Sequence, residues 1–269
     1  MNIIVCIKQV PDPEGPPGSY VINPALNRVE ARGIPPVLSL FDENALEAAL
    51  RIKDTLTHDE VKIIVVSMGT RISGAVLQKA LAAGADELVK IEDGALESAT
   101  FDSHATASAL ASAIRKKGKY DLIFTGRQAA DWNAGQVGIG IARFLGIPAV
   151  TLAGKVTIKD GHAVVERVTP RGHEVVRTPL PSLIAVSNEV GALRYPTMMQ
   201  RREAKGKPVT SWSAADIGLH DKPETRLMVK GFFVREMRKG RCEIIGGDTA
   251  ATAGLNLAQR LMNDGVISP

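Results

Sequence analysis

The chain has 269 residues, of which 45% are hydrophobic and 23% are charged, a composition typical of a globular protein with a sizeable core. A net charge of +4 and an aromatic content of 4% do not favour nucleic-acid binding, since neither a strong basic field nor a stacking surface is available. The sequence enters an apolar strand without a basic leader, and no apolar run approaches the ~20 residues that span a bilayer. We expect a cytoplasmic protein that does not insert into membranes.

Strands and helices are predicted to alternate through the first half of the chain. The β-branched run from Asn2 to Ile7 is typical of a strand buried on both faces. Asp42 is the predicted N-cap of the first helix, and Asp102 opens a later one. This alternation, which continues to about Leu152, predicts an α/β fold in which helices cover both faces of a parallel sheet. Further strands are predicted at 61–67, 87–91 and 121–124, and helices at 46–54, 77–81, 104–116 and 134–145.

The pattern changes after about Leu152, where Asp160-Gly161-His162 is a hairpin signal. We predict an α/β domain at 1–208 and a C-terminal extension at 209–269. A compact domain does not need this extension, so we expect it to lie on a partner. In this half, strands are predicted at 155–159, 163–169 and 183–186, a basic stretch with little periodicity at 194–207, and an amphipathic helix at 250–262.

A glycine-bearing loop, here called the glycine loop, connects a predicted strand to a predicted helix at Gly126–Gln136. In a parallel α/β sheet, ligands bind outside the carboxyl ends of the strands, where such loops emerge. Its glycines allow a nucleotide to approach the backbone, Arg127 can pair with phosphate in a forked geometry, and the following helix start supplies free N–H groups. The loop matches neither the P-loop nor the G-x-G-x-x-G pattern, so the alternative that it only connects two elements stays open.

Three further loops are predicted to emerge at the same edge of the sheet and to enclose an adenine nucleotide together with the glycine loop. They lie at 6–9, 39–42 and 67–70. Met68, next to a strand end, either packs in the core or supports the adenine ring. The side chains available to bond ribose or phosphate oxygens are Thr70, Asp131 and Asn133.

No constellation of catalytic or metal-binding side chains stands out in the sequence. The five histidines are scattered, and the carboxylates are spread along predicted helix faces. Cys6 and Cys242 lie far apart and lack the spacing of metal ligands, so we expect inert thiols in a reducing compartment. A hydrolase or transferase would be expected to show a sharper polar cluster. We predict no catalytic residue and no metal site.

Several segments taken together resemble the β subunit of electron transfer flavoprotein, the FixA-like family, in their order and spacing. No single motif is specific, but the resemblance runs through essentially the whole chain. At 209–217 and 252–254 it extends to the longer members, which include electron-bifurcating ones. The segments that carry the resemblance are 5–12, 41–53, 66–69, 80–86, 125–129, 135–138, 145–148 and 194–196.

The resemblance implies an adenine-nucleotide α-hydrolase-like, Rossmann-like fold and a heterodimer in which the C-terminal extension packs on an α subunit. The α subunit carries an FAD at the interface, and this chain holds AMP in the simple carriers or a second FAD in the bifurcating ones. The resemblance further implies that the chain supports the α-subunit FAD and docks on a flavin dehydrogenase of the acyl-CoA type to relay electrons. We therefore expect an electron-carrier subunit rather than a stand-alone enzyme.

The resemblance also implies two sets of residues. Those implied to contact the nucleotide are Cys6, Ser39, Leu40, Phe41, Asp42, Met68, Gly126, Arg127, Gln128, Ala129, Asp131, Trp132, Asn133, Ala134, Gly135, Gln136 and Val137. Those implied to dock on the dehydrogenase are Tyr195, Pro196, Thr197, Met198, Met199, Gln200, Arg201 and Arg202.

The chain departs from the family pattern at two places. Members usually carry Asp-Gly-Asp-Thr where this chain has Asp131-Trp132-Asn133-Ala134, so the bulky Trp132 replaces a glycine beside the phosphate. The docking loop usually offers a leucine and then a proline, whereas here Thr197 precedes Met198-Met199-Gln200. Methionine is an adaptable apolar residue that can still fill a pocket. The identities of the nucleotide and of the dehydrogenase therefore stay open.

Two alternatives accompany the simple electron carrier. In the first, the chain is a subunit of an NADH-oxidising, electron-bifurcating flavoprotein with FAD in the β site. In the second, it is a stand-alone adenine-nucleotide-binding protein on a similar sheet.

Overall fold

The computed structural model describes residues 1–25, 28–56, 60–97, 102–220, 224–234, 240 and 242–268. The chain divides into two compact units, Met1–Phe232 and Phe233–Pro269. Among the described residues, no helix combines the length and the apolar character that crossing a bilayer requires. In chain order the elements are β1 (Asn2–Cys6), β2 (Gln9–Val10), β3 (Tyr20–Asn23), β4 (Arg28–Ala31), β5 (Val37–Leu38), α1 (Leu40–Thr55), β6 (Lys62–Gly69), α2 (Gly74–Ala83), β7 (Glu87–Glu92), α3 (Ser103–Lys117), β8 (Leu122–Gly126), α4 (Val137–Leu145), β9 (Ala149–Lys159), β10 (His162–Thr169), β11 (Gly172–Pro179), β12 (Ser182–Val186), α5 (Met198–Glu203), β13 (Val209–Trp212) and α6 (Ala250–Asn263).

The first unit is built on a large, mostly parallel sheet. Within the described ranges this sheet has nine strands in the order β11-β10-β9-β12-β8-β1-β6-β7-β13. Neighbours from β9 to β13 in that order are parallel, whereas β9, β10 and β11 form an antiparallel meander. The predicted hairpin is confirmed at Asp160 and Gly161, which both have positive φ, as a tight turn of this kind requires. The α/β class is confirmed as well.

The apolar side chains of the central strands point alternately into two cores. In β1, Ile3 and Val5 face the core that α1 and α2 cover, whereas Ile4 and Cys6 face the core that α3 and α4 cover. Ile3, Ile4 and Val5 are fully buried. A strand covered on both faces requires a continuous apolar run, which explains the β-branched sequence of β1. Helices therefore cover both faces of the sheet, as predicted.

The first helix begins earlier than predicted. Its N-cap is Ser39 and its first residue is Leu40, so the prediction that Asp42 caps this helix is wrong. Asp42 lies in the first turn and is buried. Its carboxylate accepts hydrogen bonds from the backbone N–H groups of Lys8, in the loop after β1, and of Gly126, the last residue of β8. Asp42 therefore joins three elements of the fold instead of capping one.

Two other helices differ from prediction: α4 begins later than predicted, and α5 was not predicted. α4 begins at Val137 rather than near Ala134, since the glycine loop continues to the end of its Asn-Ala-Gly-Gln segment. The basic stretch at 194–207, with its little periodicity, nevertheless contains the short helix α5. The side chain of Thr197 accepts a hydrogen bond from the backbone of Gln200, whose own side chain bonds back to Thr197 in a capping box.

The sheet gains edge strands that the sequence did not predict. β11 extends the antiparallel meander, and β13 pairs in parallel with β7 at the opposite edge. Because the backbone of Val209–Trp212 completes this edge, the first compact unit continues past the predicted boundary at residue 208 and ends at Phe232. In the second unit, the predicted amphipathic helix is present as α6, which begins after the N-cap Thr249.

Candidate functional site

A cleft of about 370 Å³ opens at the carboxyl ends of β1, β6 and β8. The first residues of α3 and α4 also border it. This is the edge of a parallel sheet at which α/β proteins bind ligands. The predicted nucleotide contacts that line the cleft are Cys6, Asp42, Met68, Gly126, Arg127, Gln128, Ala129, Trp132, Ala134, Gly135, Gln136 and Val137.

Other predicted contacts lie outside the lining and several of them support it. Asp131 accepts a hydrogen bond from Lys8 Nζ at 2.7 Å, and Asn133 accepts one from Gln128 Nε2 at 2.9 Å. Ser39 Oγ accepts one from the backbone of Ala130 at 3.3 Å. The structure therefore gives these side chains intramolecular partners instead of a place in the cleft wall. The predicted contacts outside the lining are Ser39, Leu40, Phe41, Thr70, Asp131 and Asn133.

The cleft also includes residues that were not predicted individually. Ile7 and Lys8 belong to the loop at 6–9 that was predicted to enclose the nucleotide, and Gly138 follows the predicted contact Val137 by one position. Asp102 was predicted only as a helix cap, which it is, and nothing in its local sequence indicated a cleft. The lining residues outside every predicted contact and loop are Asp102, Ser103, Thr106, Leu110, Thr125, Gly138, Leu227, Met228 and Val229.

Glycines give the cleft a wall made of backbone. A Cβ atom at Gly126 would lie 2.6 Å from Asp42 Oδ1 and 2.7 Å from the backbone carbon of Phe41. At Gly138 a Cβ atom would lie 2.5 Å from Thr125 Oγ1. Gly135 has a φ of +67°, a conformation that side chains disfavour. The glycine loop can therefore lie close to both α1 and a ligand only because these positions lack side chains.

Unpartnered polar atoms at this wall fit an anionic ligand. Thr125 Oγ1 and Arg127 Nε are buried and have no hydrogen-bond partner among the described residues. The Arg127 guanidinium lies over the Phe41 ring, with 4.7 Å between Cζ and the ring centroid. Gln136, the N-cap of α4, makes no side-chain hydrogen bond to the helix. Free N–H groups at a helix start, a hydroxyl and a fixed positive charge are the groups that bind phosphate.

The two titratable groups beneath the cleft have raised pKa values. Burial raises the pKa of the Asp42 carboxyl to about 7, against the opposing effect of the hydrogen bonds from Lys8 and Gly126. Burial, with a smaller contribution from the charge of Asp42, raises the pKa of the Cys6 thiol to about 12. Cys6 is therefore a thiol rather than a thiolate near neutral pH and does not act as a nucleophile.

The raised pKa of Asp42 predicts a pH-dependent stability. Since the pKa of the folded chain lies above the ordinary value of 3.8, this carboxyl stabilises the fold most below that value, and the contribution is lost as pH rises through about 7. We expect the free energy of unfolding to fall by up to roughly 1 kcal/mol per pH unit between about pH 5 and about pH 7. Urea unfolding across this range should give a flatter profile for Asp42→Asn.

The matched control for this experiment is Asp216→Asn. Hydrogen bonds from Ser213 lower the pKa of Asp216, so this group does not titrate near neutral pH. The control should keep the wild-type slope. An Asp42→Asn profile as steep as that of the wild-type chain would contradict the assignment of the titration to Asp42.

A second candidate surface follows β12 and is held by a buried carboxylate. Glu47 of α1 accepts hydrogen bonds from the backbone N–H, Nε and Nη2 of Arg194, at 3.0, 3.1 and 3.0 Å. Asp54 accepts a further one from Arg194 Nη2 at 2.7 Å. Burial alone would raise the pKa of Glu47, but the hydrogen bonds from Arg194 hold it below its usual range. An ionised, multiply bonded pair therefore fixes the chain just before Tyr195.

The segment after this anchor exposes large apolar side chains. Tyr195, Met198 and Met199 are 84%, 80% and 71% exposed. Arg201 lies over the Tyr195 ring at 5.2 Å from the centroid. Exposed apolar side chains next to basic ones are typical of an interaction surface. Pro196, which was predicted to dock, is instead buried beneath the segment.

Among the described residues, no group of three or more His, Cys, Asp or Glu side chains is arranged to hold a metal ion. The geometry of the cleft is that of a binding site: a backbone wall, a positive charge and an apolar floor.

Comparison with known proteins agrees with this geometry. A family model described as "Electron transfer flavoprotein domain" matches residues 28–217. The electron transfer flavoprotein subunit beta of Clostridium acetobutylicum is 37% identical over 246 residues, which cover 91% of this chain and 90% of that protein. This chain belongs to the electron transfer flavoprotein β-subunit family. The resemblance inferred from the sequence segments is therefore confirmed.

Other members of the electron transfer flavoprotein family are similar over comparable lengths. The caffeyl-CoA reductase-Etf complex subunit CarD of Acetobacterium woodii is 40% identical over 219 residues, which cover 81% of this chain and 80% of CarD. Protein FixA of Azorhizobium caulinodans is 34% identical over 271 residues, which cover 96% of this chain and 93% of FixA. The family match spans both the glycine loop and the exposed segment around Met198.

Proposed function

We propose that this chain is the β subunit of a heterodimeric electron transfer flavoprotein. It binds an adenine nucleotide in the cleft, supports an FAD carried by the α subunit, and docks on a dehydrogenase to relay electrons. The observation that carries the proposal is the cleft wall, in which the glycine loop, Arg127 and the unpartnered Thr125 hydroxyl converge. Family membership alone would not assign a ligand to this cleft.

The chemistry of the lining supports an adenine nucleotide in particular. The glycine loop and Arg127 offer N–H groups and positive charge to phosphate oxygens. Met68 and Leu110 supply apolar surface from β6 and α3, which suits the flat adenine ring. A flavin, when bound, supplies the redox chemistry of such a complex, whereas the residues of this chain bind and orient it and exclude water.

Two observations bear on the choice between AMP and FAD. Ligand pockets range from roughly 300 to 1,000 Å³ in volume. The cleft, at about 370 Å³, lies near the lower end of that range, and its small volume favours AMP, the smaller of the two nucleotides. Trp132 lines the cleft where the family usually has a glycine, which also reduces the space. We therefore propose AMP in this chain and FAD in the α subunit as the first candidate.

The second candidate is an NADH-oxidising, electron-bifurcating complex with FAD in this cleft. Similarity to a subunit of a caffeyl-CoA reductase-Etf complex favours it, as does the C-terminal extension. NADH-dependent bleaching of a flavin bound to this chain would support the second candidate.

Co-expression with the α subunit tests the proposed function. The complex is purified and denatured, and the released nucleotides are identified and counted. One FAD and one AMP per heterodimer is the expected result, and two FAD would favour the bifurcating candidate. A complex with FAD but no second nucleotide would contradict nucleotide binding in the cleft. A stable monomer that binds ATP without FAD would favour the stand-alone alternative.

We also propose that the exposed segment around Met198 docks on the dehydrogenase. The double variant Met198→Ser/Met199→Ser removes two exposed apolar side chains without disturbing the Glu47–Arg194 anchor. Electron transfer from the dehydrogenase, measured as the rate of flavin reduction, should fall by about tenfold or more, because apolar anchors dominate such interfaces. Nucleotide content and thermal stability should stay unchanged.

The control for docking is Val175→Ser, which removes a similarly exposed apolar side chain, 71% accessible, from β11. Flavin in this variant should be reduced as fast as in the wild-type complex. Equal rates for the double methionine variant and the wild type would contradict docking at this segment.

We propose, finally, that the second compact unit, Phe233–Pro269, packs on the α subunit. One face of α6 presents apolar side chains to solvent, with Leu255 63% and Met262, two turns later, 39% exposed. An amphipathic helix with an uncovered apolar face favours a protein partner.

A further inference from the structure

The last segment of the first unit, residues 224–232, returns to the cleft from a distant part of the sequence. Leu227, Met228 and Val229 line the cleft and belong to no helix or strand. Leu227 and Met228 are 60% and 81% exposed although they border a cavity. Large apolar side chains in this position lack a full set of neighbours, so a ligand in the cleft would cover them.

Asp102 divides its two carboxylate oxygens between two tasks. Oδ1 accepts hydrogen bonds from the backbone N–H groups of His104 and Ala105 at 2.7 and 2.9 Å, which caps α3. Oδ2 accepts hydrogen bonds from the backbone N–H groups of Arg226 and Leu227, both at 2.5 Å. Burial alone would raise the pKa of Asp102, but these four hydrogen bonds lower it, so the carboxylate is ionised near neutral pH. Hydrogen bonds to an ionised acceptor are strong ones.

A second contact fixes the other end of the same segment. The ring of Phe232 meets the ring of Trp132 edge to face, with 5.8 Å between centroids and an interplanar angle of 61°. Trp132 belongs to the glycine loop and lines the cleft. The segment is therefore attached to the α3 side of the cleft by Asp102 and to the glycine loop by Trp132.

We propose that residues 224–232 form a strap that completes the nucleotide site and that Asp102 is the positioning residue that holds this strap over the cleft. The inference rests on the proposed nucleotide binding and goes beyond it by assigning one wall of the site to the strap. Leu227 and Met228 then cover the bound nucleotide, and release of the nucleotide requires the strap to leave Asp102.

The variant Asp102→Asn separates the two tasks of this residue. Asparagine caps helices about as well as aspartate, so its carbonyl oxygen can replace Oδ1 at α3. Its amide nitrogen would then face the N–H groups of Arg226 and Leu227, and two donors cannot bond to each other. Asp102→Ser, which retains a capping hydroxyl but lacks the second oxygen, is the second variant should the first fold poorly.

Asp93 provides a matched control away from the cleft. Its Oδ1 caps a short helix at Ala95 N, and its Oδ2 accepts a hydrogen bond from the distant Ala214 N at 3.0 Å. Asp93→Asn thus keeps a cap and removes a distant Oδ2 contact, as Asp102→Asn does, without touching the strap. The two variants should lose similar amounts of thermal stability, so stability alone does not distinguish them.

The decisive readouts are nucleotide dissociation and hydrogen exchange, measured on the full chain in complex with the α subunit. AMP and FAD are used as separate probes. Dissociation from Asp102→Asn should be about tenfold faster or more, with less than about a twofold change for Asp93→Asn, because only the first variant releases the strap. Amide exchange of 224–232 should rise in Asp102→Asn while the first turn of α3 stays protected.

Wild-type dissociation rates for Asp102→Asn, together with unchanged exchange of 224–232, would overturn the strap. If wild-type complex binds neither AMP nor FAD in this chain, the proposed function itself fails. A strap whose exchange rises in Asp102→Asn without any change in dissociation would show that it covers no ligand, which also overturns the inference.

Discussion

Gly126→Ala is expected to abolish nucleotide retention and to destabilise the chain by about 3 kcal/mol, the upper range for overpacking a dense site. The new methyl group would lie 2.6 Å from Asp42 Oδ1 and 2.7 Å from the backbone carbon of Phe41, so the first turn of α1 must move. That movement also breaks the hydrogen bond from Gly126 N–H to Asp42, which is 3.1 Å long. The substitution therefore changes the shape of the cleft wall and removes the hydrogen bond that holds this wall against α1. Urea unfolding of the purified chain measures the first effect, and nucleotide released on denaturation measures the second.

Gly74→Ala is the control for this substitution. Gly74 is the first residue of α2, a Cβ atom added there would meet open space, and its φ is not positive. Alanine favours a helix more than glycine does, so stability should be unchanged or slightly higher. A Gly126→Ala chain with wild-type stability and a full nucleotide content would contradict the close packing of β8 against α1.

Arg127→Ala is expected to weaken AMP binding by about 100-fold, which corresponds to the loss of a strong hydrogen bond to a charged group. The guanidinium lies over Phe41, and its Nε is buried without a partner among the described residues. A phosphate oxygen would supply that partner. Arg127→Lys keeps the charge but not the planar fork, so it should bind with intermediate affinity. Titration calorimetry at two salt concentrations measures both affinities.

Arg143→Ala is the matched control. Arg143 is exposed and lies in the last turn of α4, the helix that follows the glycine loop. It removes the same charge from the chain but lies outside the cleft. Its affinity should stay within about twofold of wild type, since a distant exposed charge is screened by salt. Equal losses for both arginine variants would show that net charge, rather than a specific contact, drives binding.

The sequence predicted the parts of the site that depend on local signals. The β-branched run of β1 reflects burial on two faces, and the position of the glycine loop after β8 places it at the carboxyl edge of the sheet. Asp102 caps α3 as its neighbours indicated. In each case the residues that carry the signal are close in sequence to the element they predict, so local propensity and tertiary packing favour the same structure.

The parts that were missed depend on partners far away in the sequence. Asp42 has the residue type of an N-cap, but its carboxylate is drawn to backbone donors at Lys8 and Gly126, 34 and 84 positions away. The strap meets Asp102 across more than 120 residues. The segment that forms β13 was predicted to belong to the C-terminal extension, yet its backbone pairs with the edge strand β7. Spacing along the chain carries no information about such pairings.

The most direct measurement for the central claim is an experimental structure of the purified heterodimer, at a resolution that shows bound nucleotides. We expect an adenine nucleotide in the cleft of this chain, with its phosphate at the N–H groups between Gly126 and Gly138 and within reach of Arg127. The strap should lie over the nucleotide. A complex that carries its stoichiometric nucleotides elsewhere and leaves this cleft filled only by water would contradict nucleotide binding by this chain.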